Sequence, residues 1–384
     1  MRYRTFGRLE YRPSALGFGA MRLPVIDNDP AKIDEPEALR MLRHAIDNGV
    51  NYVDTAYGYH GGTSEPFVGR ALKDGYRERV KLATKLPTWL MKEATDFDKY
   101  LNEQLQRLQT ERIDLYLLHG IGEARWKLMK ELDVPRSAER ALADGRIAYL
   151  GFSFHEKFEA LQQIIDEYPG WTFCQIQYNF MDEENQAGTK GLQYAASKGL
   201  GVVVMEPVRG GNLSRSVPPE IQAIWDLAPI KRAPADWALQ WVWDHPEVSL
   251  ALSGMSTFEQ VEQNLASADR SGPITLTQGE LAIIAQVRDK YRAMCPIPCT
   301  DCKYCMPCPQ GVNIPGVFRV YDDAVMFNDV LWGRRAYNLF MKPEERADVC
   351  IQCRECETKC PQGIAISDWL AKAHELLKEE APAK

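Results

Sequence analysis

Cysteine is scarce along most of this chain. Of ten cysteines in 384 residues, only Cys174 precedes residue 295. So poor a stretch can build neither a disulfide framework nor a cysteine metal site over its first 294 residues. Long apolar runs are missing as well. None approaches the ~18–20 residues of a membrane span, and no membrane association is expected. Basic charge is not in excess. The net charge of −7 favours solubility and argues against a nucleic-acid partner. The opening residues MRYRTFGRLEYRPS have no apolar h-region or small-residue cleavage site, which predicts no signal peptide and a cytoplasmic location. Low-complexity segments are absent. What remains is 45% apolar and 26% charged, a composition that builds a packed core. Against it, nine cysteines crowd into residues 295–384. In a reducing compartment such thiols are metal ligands rather than disulfides. The imbalance predicts two parts, residues 1–290 and residues 291–384.

The first part has a repeating rhythm. Short apolar, β-branched runs recur at Leu16–Ala20, Val50–Val53, Val80–Ala83, Ile113–Leu118, Ile147–Phe152, Thr172–Gln177, Gly201–Met205 and Val248–Leu252, each the length of a strand. Helix-period segments lie between them. Residues 35–48 carry Ala38, Leu39, Leu42, Ala45 and Ile46 on one face and stop at Gly49, and residues 97–108 carry Tyr100, Leu101, Leu105 and Leu108. Strand–helix alternation predicts a parallel sheet covered by helices, and eight units predict a closed (β/α)8 barrel of the TIM type. The Gly17-Phe18-Gly19-Ala20-Met21 turn lacks the third glycine of an open dinucleotide-binding sheet. Residues 3–12, centred on Gly7, read as a small hairpin plugging the barrel floor, and residues 276–294 as a closing helix.

Chemistry in such a barrel sits at the C-terminal ends of the strands. There strand two ends in Asp54, strand three in Thr84-Lys85 and strand four in Leu118-His119, with Tyr59 five residues past Asp54. A tyrosine near an ammonium can donate a proton to a developing alkoxide, because the ammonium stabilises the phenolate. Asp54 can aim Lys85, and His119 can orient a carbonyl. The hydride must come from a cofactor, since no side chain supplies one.

These residues carry a resemblance. The stretch from Gly49 through Asp54-Thr55-Ala56-Tyr57-Gly58-Tyr59, with Ser64-Glu65 and Gly69, resembles the signature of the aldo/keto reductase family. So do Ala83-Thr84-Lys85, Ile113-to-His119 and Gly145-to-Gly151, in the family's order. The resemblance spans about residues 1–290. It implies a (β/α)8 fold, a catalytic tetrad of Asp54, Tyr59, Lys85 and His119, a small carbonyl or alcohol substrate, and NADP(H) or NAD(H) across the barrel mouth. It implies cofactor contacts at Gly19 and Met21, at Ser153 and Gln175 for the carboxamide, and at Met205, Glu206 and Pro207. Arg209 is implied at the pyrophosphate, and Gly254, Ser256, Gln260 and Asn264 at the adenosine end. Two positions depart from the pattern: Phe154 replaces the usual asparagine after the serine, and Met205 replaces the stacking aromatic. The segment 253–264 contains no basic residue, which leaves NADH open.

The tail carries two runs, Cys299-x2-Cys302-x2-Cys305-x2-Cys308-Pro309 and Cys350-x2-Cys353-x2-Cys356-x3-Cys360-Pro361. The second is the bacterial ferredoxin pattern for a [4Fe–4S] cluster, in which three thiolates come from one run and the fourth from the other. On that logic Cys299, Cys302, Cys305 and Cys360 hold one cluster, and Cys350, Cys353, Cys356 and Cys308 the other. Structural zinc would instead pair two short knuckles across a loop. Cys295 is left over, and Cys174 reads as a small buried hydrophobe. The tail resembles the α-helical two-cluster ferredoxin domains and the extension found in a subgroup of aldo/keto reductases. The clusters then serve either electron transfer, with a ferredoxin or another redox protein as partner, or structure. A hydride cannot split into single electrons without a carrier such as a flavin, and no flavin motif is evident. The alternative is an electron-transfer or regulatory nucleotide-binding protein on a catalytically silent barrel, against which the intact tetrad argues.

Overall fold

The computed structural model describes residues 1–214, 217–299 and 301–378. Eight parallel strands close into a barrel in sequence order: β1 Leu16–Gly19, β2 Tyr52–Asp54, β3 Lys81–Leu86, β4 Ile113–Ile121, β5 Ile147–Phe154, β6 Phe173–Gln177, β7 Gly201–Met205 and β8 Val248–Ser253. All eight apolar runs become strands, and several boundaries shift. β3 extends to Leu86 because Ala83 through Leu86 pair with Leu115 through Leu118 of β4. Lys85 is the penultimate residue of the strand, one short of its end. β4 runs on to Ile121, and its register against β5 shifts between Leu118 and Ile121, so His119 sits at an irregularity. Such an irregularity re-aims a side chain near a barrel rim.

The helices follow from local sequence. Helix Glu35–Asp47 starts with Asp34 accepting from the Glu37 N–H and ends before Gly49, whose φ of 95° needs no Cβ. Helix Asp96–Arg107 covers the outside of β3 and β4, where Tyr116 donates to Gln104 at 2.8 Å.

Inside the barrel, Tyr52, Ala83, Leu115, Leu117, Phe173, Val203, Leu250 and Leu252 pack as one buried cluster with Phe6. Phe6 belongs to the N-terminal segment, which pairs Tyr3 with Ser14 and Phe6 with Leu9 as an antiparallel hairpin. It fills the barrel floor as the sequence predicts. Gly7 makes this possible. Its φ is +54°, and a Cβ there would lie 2.4 Å from the Gly199 carbonyl oxygen.

The chain divides into two compact units. One comprises Met1–Gly210 with Ala235–Thr277, the barrel. The other comprises Gly211–Pro234 with everything from Gln278 onward. Helix Gln278–Ala293, read from sequence as closing the barrel, packs on helix Pro219–Trp225 within the second unit. The core of that unit is apolar: Ile297, Val312, Ile314, Val317, Phe318, Tyr337, Ile366, Leu370 and Leu377. It is built largely from helices Ile314–Met326 and Ile366–Leu377. Among the described residues, no helix is long and apolar enough to cross a membrane.

Candidate active site and cysteine cavities

Alternation along a strand sends every second residue inward. The apolar cluster therefore predicts the next layer up the barrel axis. Two residues beyond Tyr52 comes Asp54; beyond Ala83, Lys85; beyond Leu117, His119; beyond Gly151, Ser153; beyond Phe173, Gln175; beyond Val203, Met205. One turn of the pleat thus changes an apolar floor into a polar ring at the C-terminal rim.

Lys85 is the hub of this ring. Its ammonium, 1% exposed, donates to Asp54 Oδ1 at 2.6 Å, to the Thr55 carbonyl at 2.9 Å and to Tyr59 Oη at 3.0 Å. All three of its donors are used. Burial works against the ammonium, but Asp54 beside it raises the Lys85 pKa above its ordinary value. Burial pushes Asp54 up while Lys85 pulls it down. We take the pair as ionised, because the ammonium has three acceptors. Burial also raises the Tyr59 pKa, and Lys85 only partly offsets it. Lys85 thus acts on the phenol in the expected direction, against the desolvation of the phenolate. His119 is pushed down to about 3, by burial first and then by Lys85 and His155. Its ring lies 6.1 Å from that of Tyr59 and 5.1 Å from that of Trp89. Its Nδ1 is buried without a partner in the protein, as is Asp54 Oδ2.

A second network backs the hub on the outer side of β3. Thr84 and Gln104 each donate to Glu65 Oε1 at 2.6 Å, and Gln104 also donates to the Lys85 carbonyl at 3.0 Å. Glu65 has no exposed surface and meets Arg107 at 3.4 Å.

The expected cofactor residues lie on strand ends and the loops that follow them, except Gln260 and Asn264, which lie in helix Phe258–Asp269. Ser153 Oγ accepts from the Gly120 N–H at 2.8 Å, and Gln175 Oε1 is buried with no partner. An unsatisfied acceptor beside a hydroxyl suits a carboxamide. Met205 is half-buried, Glu206 exposed and Pro207 buried, and Met21 is exposed. Gly19 backs onto Ser253, whose oxygen would lie 3.2 Å from an added Cβ. Arg209 is ion-paired with Asp182 at 3.0 Å. In the last segment Ser256 donates to the Arg22 carbonyl at 2.8 Å, Gln260 accepts from the Ser256 N–H at 2.8 Å, and Asn264 donates to Ser253 at 2.9 Å. Thr257 caps helix Phe258–Asp269. Arg22, which lies across Gly254, was not singled out in the sequence. Its only signal there is a basic residue just beyond the end of β1. Trp126 is core: it packs on Trp171 and donates to Glu167.

In the tail, two small cavities are each ringed by four thiols. One is lined by Cys299, Cys302, Cys305 and Cys360 together with Phe318, Ile364 and Ile366. The other is lined by Cys308, Cys350, Cys353 and Cys356 together with Ile351 and Leu370. Ile314 borders both. Each set takes three thiols from one run and one from the other. Four sulfurs around a void with an apolar shell are the donor set that a cubane cluster requires. Among the described residues, no three His, Cys, Asp or Glu side chains converge tightly enough for one metal ion. Cys295 lines neither cavity. Its thiol donates to Asp322 and toward the Ile297 carbonyl at 3.6 Å, and burial pushes it up to about 12. Cys174 is fully buried on β6, as expected.

The profile of the aldo/keto reductase family matches residues 15–289. The chain belongs to the aldo/keto reductase family. A 4Fe-4S dicluster domain matches residues 298–365. Among aldo/keto reductases and their relatives, the chain is 27% identical over 309 residues to L-galactose dehydrogenase of Arabidopsis thaliana, covering 75% of this chain and 95% of that one. It is 28% identical over 260 residues to methylglyoxal reductase YeaE of Escherichia coli (strain K12), covering 63% and 81%. Aldo-keto reductase AKR11C1 from Bacillus halodurans, in its holo form, superposes with a TM-score of 0.61 at 29% identity over 75% of this chain and 96% of that one. An aldo-keto reductase from Klebsiella pneumoniae, solved in complex with NADPH, superposes with a TM-score of 0.60 at 26% identity and the same coverage. This chain is thus an aldo/keto reductase-type oxidoreductase with a 4Fe–4S domain behind it.

Proposed function

We propose that the barrel interconverts a small carbonyl compound and its alcohol with a nicotinamide dinucleotide, Tyr59 acting as general acid and base. The observation that carries this reading is the Lys85 ammonium bonded at once to Asp54 and to Tyr59 Oη. The dinucleotide, when bound, supplies or takes up the hydride. Tyr59 accepts a hydrogen bond from Lys85 and so keeps its own O–H for the substrate oxygen. In reduction, the raised pKa of Tyr59 keeps the phenol protonated until negative charge develops on the carbonyl oxygen. The proton then moves to that oxygen, and Lys85 stabilises the phenolate left behind. Oxidation runs the same transfer backward. His119, held neutral, offers its imidazole to orient the carbonyl. Ser153 and Gln175 are the residues that would hold the carboxamide.

The tail, on this reading, carries two [4Fe–4S] clusters. Cys299, Cys302, Cys305 and Cys360 ligate one, and Cys308, Cys350, Cys353 and Cys356 the other. The two thiol-ringed cavities support this partition. Single electrons at the clusters would be exchanged with a ferredoxin or a similar redox protein. Two measurements test the proposal. Tyr59→Phe is expected to lower carbonyl turnover by ~10²–10⁴-fold with dinucleotide affinity and iron content retained; unchanged turnover overturns it. Anaerobically purified protein should hold about eight irons, and about four would leave one cysteine run without a cluster.

A further inference from the structure

His60 follows Tyr59 directly, and its ring is engaged at both nitrogens. Nδ1 lies 2.8 Å from the Pro30 carbonyl oxygen, and Nε2 lies 3.3 Å from the Leu23 backbone nitrogen. A carbonyl can only accept and an amide N–H can only donate, so these partners fix the protonation state. Nδ1 carries the hydrogen and Nε2 the lone pair, which makes the ring neutral and sets one tautomer. Both partners sit on the loop after β1, which folds on itself through an antiparallel bridge of Val25 with Ile33. The half-buried ring thus fastens that loop to the turn that carries Tyr59. Thr63 adds a weaker tie, its hydroxyl lying 3.3 Å from the Ala31 carbonyl. The turn itself is unusual. His60, Gly61 and Gly62 have φ of 53°, 63° and 93°, and a non-glycine residue stays in that region only when its surroundings hold it there.

The charged groups of the packed elements are engaged elsewhere. On the loop, Asp29 pairs with Lys32, Asp34 caps helix Glu35–Asp47, Arg22 crosses Gly254 and Asp27 is exposed. On the helices behind the turn, Glu65 faces Thr84 and Gln104, Arg70 meets Glu35, and Arg107 meets Glu65 and Glu103. The ring's titration is therefore governed by burial and by backbone. Burial disfavours the charged ring, the Pro30 and Met21 carbonyls favour it, and burial wins, which holds the pKa below its ordinary value. A charged ring has hydrogens on both nitrogens. Nε2 can then meet only a carbonyl such as that of Met21, and the Leu23 N–H loses its acceptor.

We infer that His60 is a positioning residue for the general acid: its neutral ring latches the first βα loop to the turn of Tyr59, and a proton on Nε2 opens the latch at Leu23. The inference rests on the reading of Tyr59 above and adds to it a dependence on pH from outside the tetrad.

Two measurements on the full-length, iron-loaded protein test it. The chain has six histidines, few enough for an NMR titration with labelled histidine, the His60 signal being the one missing from His60→Asn. His60 should show the Nδ1–H tautomer at neutral pH and titrate below about pH 6.5. An Nε2–H tautomer, or a titration at the ordinary value, would overturn the inference whatever the barrel turns over. The second measurement is the pH profile of kcat for reduction across a panel of aldehydes and ketones. In the unaltered protein kcat should fall about twofold to tenfold as the ring takes up its proton, the range of one lost hydrogen bond. His60→Gln gives up Pro30, keeps an acceptor for Leu23 and cannot titrate. It should keep most of the kcat at neutral pH and lose the decline on the acid side. His60→Asn tolerates the left-handed backbone and keeps a donor for Pro30 but no acceptor for Leu23. It should show the lower kcat at every pH, with KM for the carbonyl compound unchanged. If one variant folds poorly, judged by Tm and iron content, the other decides. An acid-side decline that persists in both would overturn the inference alone. No turnover of any carbonyl by the unaltered chain would overturn the functional reading, and the role of His60 toward Tyr59 with it.

Discussion

Removing the Lys85 ammonium should destabilise the barrel far more than removing it together with its partner. In Lys85→Met the Asp54 carboxylate, only 3% exposed, is left with no cation, and its Oδ2 already lacks a partner. Breaking a buried pair in this way costs about 3–5 kcal/mol. At ~2–4 °C per kcal/mol for a domain of this size, Tm should fall by roughly 6–20 °C. Asp54→Asn leaves the ammonium its bonds to the Thr55 carbonyl and Tyr59, so its loss is smaller, about 1–3 kcal/mol. The double variant leaves no unpaired charge at the hub, and its loss should fall short of the sum of the singles by about 1–3 kcal/mol. Anaerobic thermal unfolding reads this out through the buried indoles Trp126, Trp171, Trp237 and Trp243, with iron content checked in parallel. A shift in Lys85→Met below about 2 °C, or strict additivity in the double variant, would refute the ionised-pair argument.

The cysteine partition makes its own forecast. Cys360→Ser should lose the cluster of the first run and Cys308→Ser that of the second, each halving the iron, so that each variant loses the cluster whose other three ligands lie in the opposite run. Cys295→Ala should keep full iron, since Cys295 lines neither cavity; a halved count would make it a ligand. His119 gives a pH signature. Its folded pKa, about 3, lies below the unfolded value of about 6.5. As pH falls from about 6.5 toward 3, the unfolded state binds a proton that the folded state resists, so stability drops across that window. His119→Gln should flatten the slope between about pH 6.5 and 5, and an unchanged slope would mean the imidazole titrates normally.

Much of the site could be read from the residues in order. Asp54, Lys85 and His119 each close or follow an apolar run, and the barrel brings such positions to one rim. The three-residue steps of the cysteine runs likewise specify their own geometry, because consecutive thiols at that spacing wrap one face of a cluster. Arg22 could not be read this way. Nothing in the neighbouring residues says that a side chain just beyond β1 will reach glycines 210 and 254, which lie 188 and 232 positions away. Nor does any local pattern pair Arg209 with Asp182, or sink Trp126 among Trp171 and Tyr168.

The sequence by itself determined the period of the elements, the number of strands, the order of the rim residues and the interleaved cysteine sets. These depend on near-neighbour spacing, which the pleat and the helix turn convert directly into a facing direction. Only the tertiary structure decided which partners each charge meets. It showed that β3 carries on past Lys85, that His119 sits at an irregularity in β4, and that burial opposes the pull of Lys85 on Tyr59. Ion pairing and desolvation depend on distances across the closed barrel, which barrel closure sets and no stretch of chain contains.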